Sequence, residues 1–410
     1  MNRPLALAAA AALATLAACG GSGDKKDPPP PPPVGLETFQ DASLAIGQAD
    51  LTTAASQFCT ATSLDTPFGA AAWDGTRLFV SDTNGNRVHA YTGIPTASGA
   101  TPAFSLGTAN CSVPATPSAA DFAWPQSVRA LGAGATGRLV VTDSLNHRVL
   151  VFSGIPSASP ASAVAAVGQA GLTTFDPACD ATSLSSPQSA FVTSGGKLIV
   201  ADQGNHRVLV WNAVPTASNT AADLVLGQLS ATSCFANDDG VTIGNVTAAT
   251  LSAPSDVWSD GTRLVVVDSG NHRVLVWSTF PTANGEAADA VIGQGAFDTA
   301  ATGASDVAMA SPFAVASDGT RLFVADQGNH RVLGFGAIPT SGAGTAATVV
   351  LGQGDFTHSA ANDADQDGAP DAAPTAKTLS SPSGLAVIDG ALFVTDSGND
   401  RVLVFRPPAP

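Results

Sequence analysis

One arrangement of apolar and polar positions returns six times along the chain. Each copy centres on an Asp: Asp82, Asp143, Asp202, Asp268, Asp326 and Asp396, spaced 58–70 residues apart. Four residues before the Asp stands Leu, two before it stands Val, and the residue between them is apolar, as in Leu139-Val140-Val141 or Leu264-Val265-Val266. Apolar residues at every position of so short a run predict a strand buried on both faces. Six residues after the Asp comes Val and nine after comes an aromatic: Tyr91, Phe152, Trp211, Trp277, Phe335 and Phe405. That is a second buried strand. The link between the two is usually x-Gly-Asn-His, as in Gly204-Asn205-His206. A tight antiparallel connection needs positive φ, which Gly and Asn tolerate, so we expect those two residues to carry it. The first copy has Asn84-Gly85 instead, and the second has Leu145 where Gly is expected. The second copy should therefore turn differently.

Two further strands flank each hairpin. One begins near a Pro (Pro67, Pro125, Pro187, Pro254, Pro312, Pro382) and reaches the hairpin through Asp-Gly turns at 74–75, 260–261, 318–319 and 389–390, or through Gly-rich loops in the second and third copies. The other follows a Pro-Thr or Pro-Ser connection and ends in Gly-Gln, as in Val167-Gly168-Gln169 and Leu226-Gly227-Gln228, with Leu106-Gly107-Thr108 as the variant. Four antiparallel strands per copy make a propeller blade, and a repeat of this length specifies a radial or stacked array. The chain ends at Pro410, where the sixth Gly-Gln strand should begin, while a copy of that strand, Ala45-Ile46-Gly47-Gln48, stands alone at the front. The front strand should complete the last blade, removing the exposed sheet edge and tying the two ends together. The expected fold is all-β, a six-bladed β-propeller over residues 36–406, closed by its N-terminal strand. An open β-solenoid would have no need of a displaced strand.

A blade reads Pro-x-x-x-Ala-x-x-Asp-Gly-x-Leu-Phe-Val-x-Asp-x-Gly-Asn-His-Arg-Val-Leu-Val-Phe. This resembles the NHL-repeat family of β-propellers, whose signature includes the Asn-His-Arg-Val stretch, and the resemblance spans about residues 42–406. Membership implies one of several trades: RNA binding through a basic face, protein-binding scaffolds, or an amidating lyase. The lyase and the similar six-bladed lactonases imply metal ligands near the central channel. No matching set is legible here. A lactonase-like Glu ligand has only Glu37 and Glu286 to come from, and both lie outside the inner strand.

Composition narrows these options. Of 33 acidic residues only two are Glu, and only four residues are Lys. Helix formers are thus scarce, while Asp, 41 Gly and 28 Pro favour turns. The formal net charge is -16, and six of the 13 Arg already belong to the repeat. Phosphate binding needs clustered Lys and Arg, so nucleic acid is excluded as a partner.

The N-terminus reads as an address. Arg3 precedes an apolar run, Leu5 to Ala18, and then Leu16-Ala17-Ala18-Cys19. The run is too short for a hydrocarbon core of about 30 Å but suits a signal peptide. The four residues resemble a bacterial lipobox, which implies a signal at 1–18, cleavage before Cys19 and acylation of that cysteine. Three acyl chains at about 0.8 kcal/mol per buried CH₂ make a durable anchor. Residues 19–35, Gly/Ser and then six prolines, form a tether; six prolines in extended form reach about 19 Å. We expect a monomer held at the bacterial cell envelope, in the outer membrane.

Candidate chemistry lies in the turns and loops. Asp and Arg recur five apart in every copy: Asp82/Arg87, Asp143/Arg148, Asp202/Arg207, Asp268/Arg273, Asp326/Arg331 and Asp396/Arg401. Because all six copies carry the pair, we read it as the same structural brace in each hairpin; a ligand site would break the symmetry. His147, His206, His272 and His330 occupy one position per blade, and side chains on blades set apart around a ring converge on a metal only if they face the axis. Asp363, Asp365, Asp367 and Asp371, with Gly368, spell D-x-D-x-D-G-x-x-x-D. This is similar to calcium loops, though Pro374 stands where an EF-hand has its bidentate Glu and no helices flank it. An acidic solvated loop is the plainer reading, and Asn237-Asp238-Asp239-Gly240 is a weaker echo of the same pattern. Cys59, Cys111, Cys179 and Cys234 fall in four successive loops between blades. In an oxidising compartment they suggest two bridges, and only Cys59–Cys111 with Cys179–Cys234 joins neighbouring loops in both pairs. Each would close ~50 residues and stabilise by at most about 4 kcal/mol. Free thiols or a zinc site remain the alternatives.

No Ser-His-Asp set, phosphate loop or nucleotide fingerprint appears, and no catalytic residue is assigned. The expected function is a non-catalytic scaffold that binds an envelope or extracellular protein or glycan, on the face built by the long loops and the Asn-His-Arg turns. The alternative is a metal-dependent envelope lyase or lactonase-like hydrolase with its site at the channel. Calcium is the one cofactor suggested.

Overall fold

A computed structural model describes residues 35–408. The signal at 1–18, Cys19 and the tether up to residue 34 lie outside the described residues. Six antiparallel sheets follow one another around a ring. The second blade is typical: Pro125–Leu131 innermost, then Arg138–Asp143, Arg148–Ser153 and Ala165–Val167. The sixth takes Pro382–Ile388, Ala391–Asp396 and Arg401–Phe405, and its fourth strand is Leu44–Ile46. Leu44, Ala45 and Ile46 pair with Val404, Leu403 and Val402, so the front of the chain closes the ring as expected. One departure from four strands occurs: Gly342–Ala343 adds in parallel to Ala290–Ile292 at the rim of the fourth blade.

Strands with apolar residues on both faces have no water-facing side, so they must pack on neighbours in front and behind. The result is six separate apolar layers, one between each pair of adjacent blades. The layer at the closure joins Leu44 and Ile46 to Val80 of the first blade and to Phe393 and Val402 of the sixth. The aromatics that end each hairpin are buried in these layers.

The hairpin turn ties each blade to its surroundings through two devices. The first is a clamp. One oxygen of the repeat Asp accepts the backbone N–H two residues before the leading Pro of its own blade, at 2.6–2.7 Å. The other oxygen accepts the Arg Nε–H at 2.6–2.8 Å. In five blades the guanidinium then donates to carbonyls of the loops that enter and leave the blade: Arg148 reaches Ser118 and Asp121 on one side and Leu172 on the other. Arg401 does this across the closure, donating to Leu51 and to Thr375 and Thr378. The brace expected of Asp and Arg is thus also a stitch between successive loops.

Arg87 is the exception, which corrects the reading of six equal braces. It meets Asp82 at 2.6 Å and the Thr60 carbonyl of the entering loop, and among the described residues it makes no bond to the leaving loop. The physical reason lies two strands on. After the other blades the Gly-Gln glutamine donates to a carbonyl seven residues further along and so holds the leaving loop within reach of the Arg, as Gln169 does to Asp176 and Gln228 to Phe235. The first blade has Thr108 there. Its leaving loop is held instead by Asn86, which donates to the Cys111 carbonyl at 2.8 Å. His89 also stands beside this clamp, with Nε2 3.4 Å from Asp82 Oδ2. Burial pushes the Asp82 carboxyl up, but His89, the Asp65 amide and Arg87 outweigh it and hold it below the usual value. In Asp143, Asp202, Asp268, Asp326 and Asp396 burial prevails and the carboxyl is raised.

The second device joins one blade to the next. The residue before the Arg is left-handed, with φ of 51–53° at His147, His206, His272, His330, Asp400 and Asn86. Its side chain accepts the N–H of the residue just before the leading Pro of the following blade, at 2.7–3.0 Å. That partner (Thr66, Trp124, Ser186, Ala253, Ser311 or Ser381) is itself left-handed, with φ of 46–54°. The reading of the turn is corrected here: positive φ falls on His, Asp or Asn at the end of the turn and not on the preceding Gly-Asn. Gly204 is needed for another reason, since a Cβ there would lie 2.6 Å from Ser185 Oγ and 2.7 Å from its carbonyl. Leu145 does not change the turn either. Ser144–Asn146 forms the same single 3₁₀ turn with His147 left-handed, and the Leu145 N–H reaches the Ala123 carbonyl at 3.2 Å while the side chain points to solvent.

Because Nδ1 accepts, the four imidazoles serve as catches only when neutral. Burial lowers His147, His206 and His330 below the usual histidine value, against the pull of Asp176, Asp268 and Asp396 respectively. Asp400, the catch at the closure, is pushed the other way, up to about 6, by burial and by the nearby carboxylates of Asp65, Asp82 and Asp396.

Two outcomes are expected. Ile46→Ala, at a fully buried position of the closing strand, should cost about 2–5 kcal/mol, read as a lower urea midpoint, and removal of residues 36–50 should cost more because it also bares the edge of Arg401–Phe405. The catches give stability a pH dependence of two signs. The contribution of His147, His206 and His330 is whole above the unfolded value of about 6.5 and fades as pH falls through their lowered native values. The Asp400 contribution is present in acid and is lost as pH rises through about 6. Replacing His147, His206 and His330 by Asn, the residue the first blade uses, should flatten the loss of urea resistance between pH 7.5 and 5. Asp400→Asn should raise the midpoint at pH 8 and change it little at pH 4.5.

Candidate functional site

The Asp and Arg of the repeat form the clamps described above. The five guanidinium groups from Arg148 to Arg401 are fully buried, and Arg87, which lacks the second loop contact, is slightly exposed. Asn146, Asn205, Asn271, Asn329 and Asn399 are buried beside the five, each donating to its Asp at 2.7–2.9 Å. The Asn and Arg side chains of these turns are committed to the ring, and each of the four half-buried His commits its Nδ1. The four His catch separate blade junctions and do not converge.

The loops between blades lie on the same face as these turns. Among the described residues, the exposed large apolar side chains fall there with two exceptions, Val164 and Leu145, the latter in the turn of the second blade. They include Phe58 beside Cys59, and Phe235 beside Cys234, with Leu229, Val241 and Ile243 in the same loop as Phe235. Both bridges form as expected: Cys59–Cys111 and Cys179–Cys234, with Cα atoms 5.7 and 6.4 Å apart. Each cross-links the loops entering and leaving one blade, the first blade and the third.

Asp363, Asp365 and Asp371 bring carboxylate oxygens within 4.8 Å of one another. Asp363 is fully buried and accepts the N–H groups of Asp367 and Gly368 at 3.1 and 3.0 Å, while Asp371 accepts that of Ala364 at 2.9 Å. Three converging carboxylates, with no Lys or Arg paired to them among the described residues, fit a hard divalent cation with oxygen ligands. Asp367 is not part of the group; it accepts the Ala369 N–H at 2.8 Å, which corrects the four-carboxylate reading.

The channel holds a site that the sequence reading did not single out. Four residues after the leading Pro, the innermost strands contribute Ala71, Arg129, Phe191, Trp258, Ala316 and Ala386 to one cavity of about 340 Å³. It opens beside Trp73, Ser317 and Asp389, on the face of the Asp-Gly turns, opposite the long loops. Deeper in, the channel is packed shut. A Cβ on Gly384 would sit 1.9 Å from the Gly69 carbonyl oxygen, and the Phe68 and Phe313 rings meet edge to face at 5.5 Å. Between cup and packing lies Asp256, which accepts Ser189 Oγ–H at 2.5 Å and the N–H groups of Val257 and Val315 at 2.9 and 3.0 Å. Burial pushes its carboxyl up from the ordinary value. The signal for this site was present in the sequence: the strand positions of the blade repeat, and this one reads Ala, Arg, Phe, Trp, Ala, Ala.

A family model described as NHL repeat matches residues 379–405, the first three strands of the sixth blade. No curated protein matches the chain. Among solved structures the chain is similar to a streptogramin B lyase at 10% identity, covering 88% of this chain and 95% of that one with a TM-score of 0.39. It is similar to an auxiliary nutrient binding protein from Bacteroides thetaiotaomicron at 11% identity, covering 86% and 75% with a TM-score of 0.45. A gluconolactonase from Xanthomonas campestris is 14% identical, covering 90% and 100% with a TM-score of 0.45. Likeness at this level carries no argument about activity. The chain is a six-bladed β-propeller whose sixth blade matches the NHL-repeat model, and the matched pattern of residues returns in the other five blades.

Proposed function

We propose that this propeller is a non-catalytic binding scaffold of a bacterial cell envelope, acylated at Cys19, that takes an envelope or extracellular protein or glycan on its long-loop face. The observation that carries the reading is the placement of exposed apolar side chains. Soluble proteins seldom leave large apolar groups clustered in water unless a partner covers them. Here Leu229, Phe235, Val241 and Ile243 share one exposed loop, tied down by Cys179–Cys234 and the Arg207 clamp, and Phe58 stands on a second loop tied down by Cys59–Cys111 and Arg87. Rigid loops bind with less ordering cost than mobile ones. A metal-dependent lyase or lactonase-like hydrolase draws less support. It needs ligands converging at the channel, and the convergent group among the described residues lies instead in the loop before the sixth blade. That loop we assign to calcium, bound by Asp363, Asp365 and Asp371, as a stabiliser of the loop rather than a catalyst.

Two measurements bear on this. On whole cells carrying the tethered protein, crosslinking should recover a specific partner; Phe235→Ser with Val241→Ser should cut that recovery at least tenfold without moving the unfolding temperature, whereas Val164→Ser on the opposite face should not. Equal recovery from all three proteins would remove the long-loop face as the binding surface. Calcium in excess should raise the unfolding temperature relative to chelator, by roughly the 2.7 kcal/mol expected at 100 times the dissociation constant. Asp363→Asn should abolish the rise and Asp367→Asn should leave it intact.

A further inference from the structure

Arg129 is the one guanidinium in the wall of the channel cup. Its side chain is only 13% exposed, its Nε is buried without a hydrogen-bond partner, and Nη2 lies 3.9 Å from Asp256 Oδ1, beyond hydrogen-bond distance. Asp256 offsets the charge through space, but its oxygens are turned to Ser189, Val257 and Val315 and make no hydrogen bond to the guanidinium, whose donors stay free. The other neighbour of the guanidinium is the Phe191 ring, 5.5 Å away at its centroid. A buried guanidinium whose planar donors go unused is costly unless an acceptor meets them, even with a carboxylate nearby. The rest of the wall is apolar, with Trp258, Val315 and Leu385 facing a space that small alanines leave open.

We propose that the cup binds a small monocarboxylate with an aromatic or aliphatic tail, its carboxylate paired with Arg129 and its tail against Phe191 and Trp258. A planar fork matches a carboxylate through two parallel bonds. A single negative charge is favoured over two because Asp256 lies beyond Arg129 and Asp389 stands at the mouth. The cavity lies in the size range of sites that take small organic ligands. This site is separate from the long-loop face and does not depend on it.

The test is calorimetric titration of the full-length protein with 3-phenylpropionate and octanoate, and with 3-phenylpropanol and octan-1-ol as neutral counterparts. Each acid should bind at least tenfold more tightly than its alcohol. Arg129→Met should abolish that preference while leaving the alcohols unchanged, and Trp258→Ala should weaken acid and alcohol alike. If Arg129→Met alone does not fold, because it strands the Asp256 carboxylate, Arg129→Met combined with Asp256→Asn serves instead. Phe235→Ser with Val241→Ser should bind the acids as the parent does, so failure of the cup is distinguishable from failure of the long-loop face. No saturable binding of either acid, equal affinity for acid and alcohol, or acid binding that survives loss of Arg129 would overturn the assignment.

Discussion

The ring depends on one short hydrogen bond made six times, from the amide before each blade's leading Pro to the side chain that ends the previous blade's turn. Both residues are left-handed, a conformation that disfavours ordinary side chains. Neither would hold it alone. The Pro removes the next N–H, so the amide before it has no strand to join; the turn residue, held in place by the Asp clamp, supplies the missing acceptor. A bond worth about 1 kcal/mol net would be a small matter once. Repeated around a closed circle, it fixes the angle between every pair of blades, and the apolar layers then pack at one spacing.

That arrangement explains which parts of the fold could be read from sequence. Period-two apolar runs, the displaced Ala45-Ile46 strand and the four loop cysteines each follow from local pattern or from counting, and they appear as expected. The turn was harder. Gly and Asn are the residues that tolerate positive φ intrinsically, so propensity pointed to them. Tertiary context moved the strain to His206 and its equivalents, because the acceptor must reach a different blade. Leu145 misled for the same reason: its Gly equivalents are small because Ser185, Ser252 and their counterparts crowd them. The second blade relaxes that contact, with the amide bond stretched to 3.2 Å from the 2.9 Å of Gly204. Arg87 looked like its five counterparts because the pair spacing is the same; what differs is Thr108, twenty-one residues away in sequence, and only the fold brings that change to bear on the clamp.

The deviations cluster at the seam. The first and last blades are where the catch is not His, being Asn86 and Asp400, and the first blade also places His89 in its second hairpin strand, 2.7 Å from Ser105 Oγ. A seam joins segments far apart in sequence, so it carries the greatest cost of loop closure. It is also reinforced beyond the strand pairing: Gln48 donates to the Asp400 carbonyl at 2.9 Å and Arg401 to that of Leu51. The carboxylate catch, Asp400, is held among Asp65, Asp82 and Asp396, whose charges oppose its ionisation. Cys59–Cys111 bridges the loops on either side of the first blade, next to that joint, and so links the two loops that Arg87 does not stitch.

Buried arginines give the sharpest contrast between structure and function in this molecule. Arg148, Arg207, Arg273, Arg331 and Arg401 each spread their donors over one carboxylate and carbonyls of two loops, so that none of these guanidiniums lacks partners. The fold thus solves the problem of a buried guanidinium five times in nearly the same way. Even Arg87, bonded to one loop where the others reach two, keeps its carboxylate at 2.6 Å and a carbonyl. Arg129 is buried in the same ring, on a position that the other blades fill with Ala, Phe or Trp, and makes none of those bonds. An architecture that satisfies this group wherever it is structural has no structural reason to leave one unsatisfied. Symmetry is what makes the exception legible, since the repeated blades state what the chain needs to stand and the one that differs states what it is free to bind.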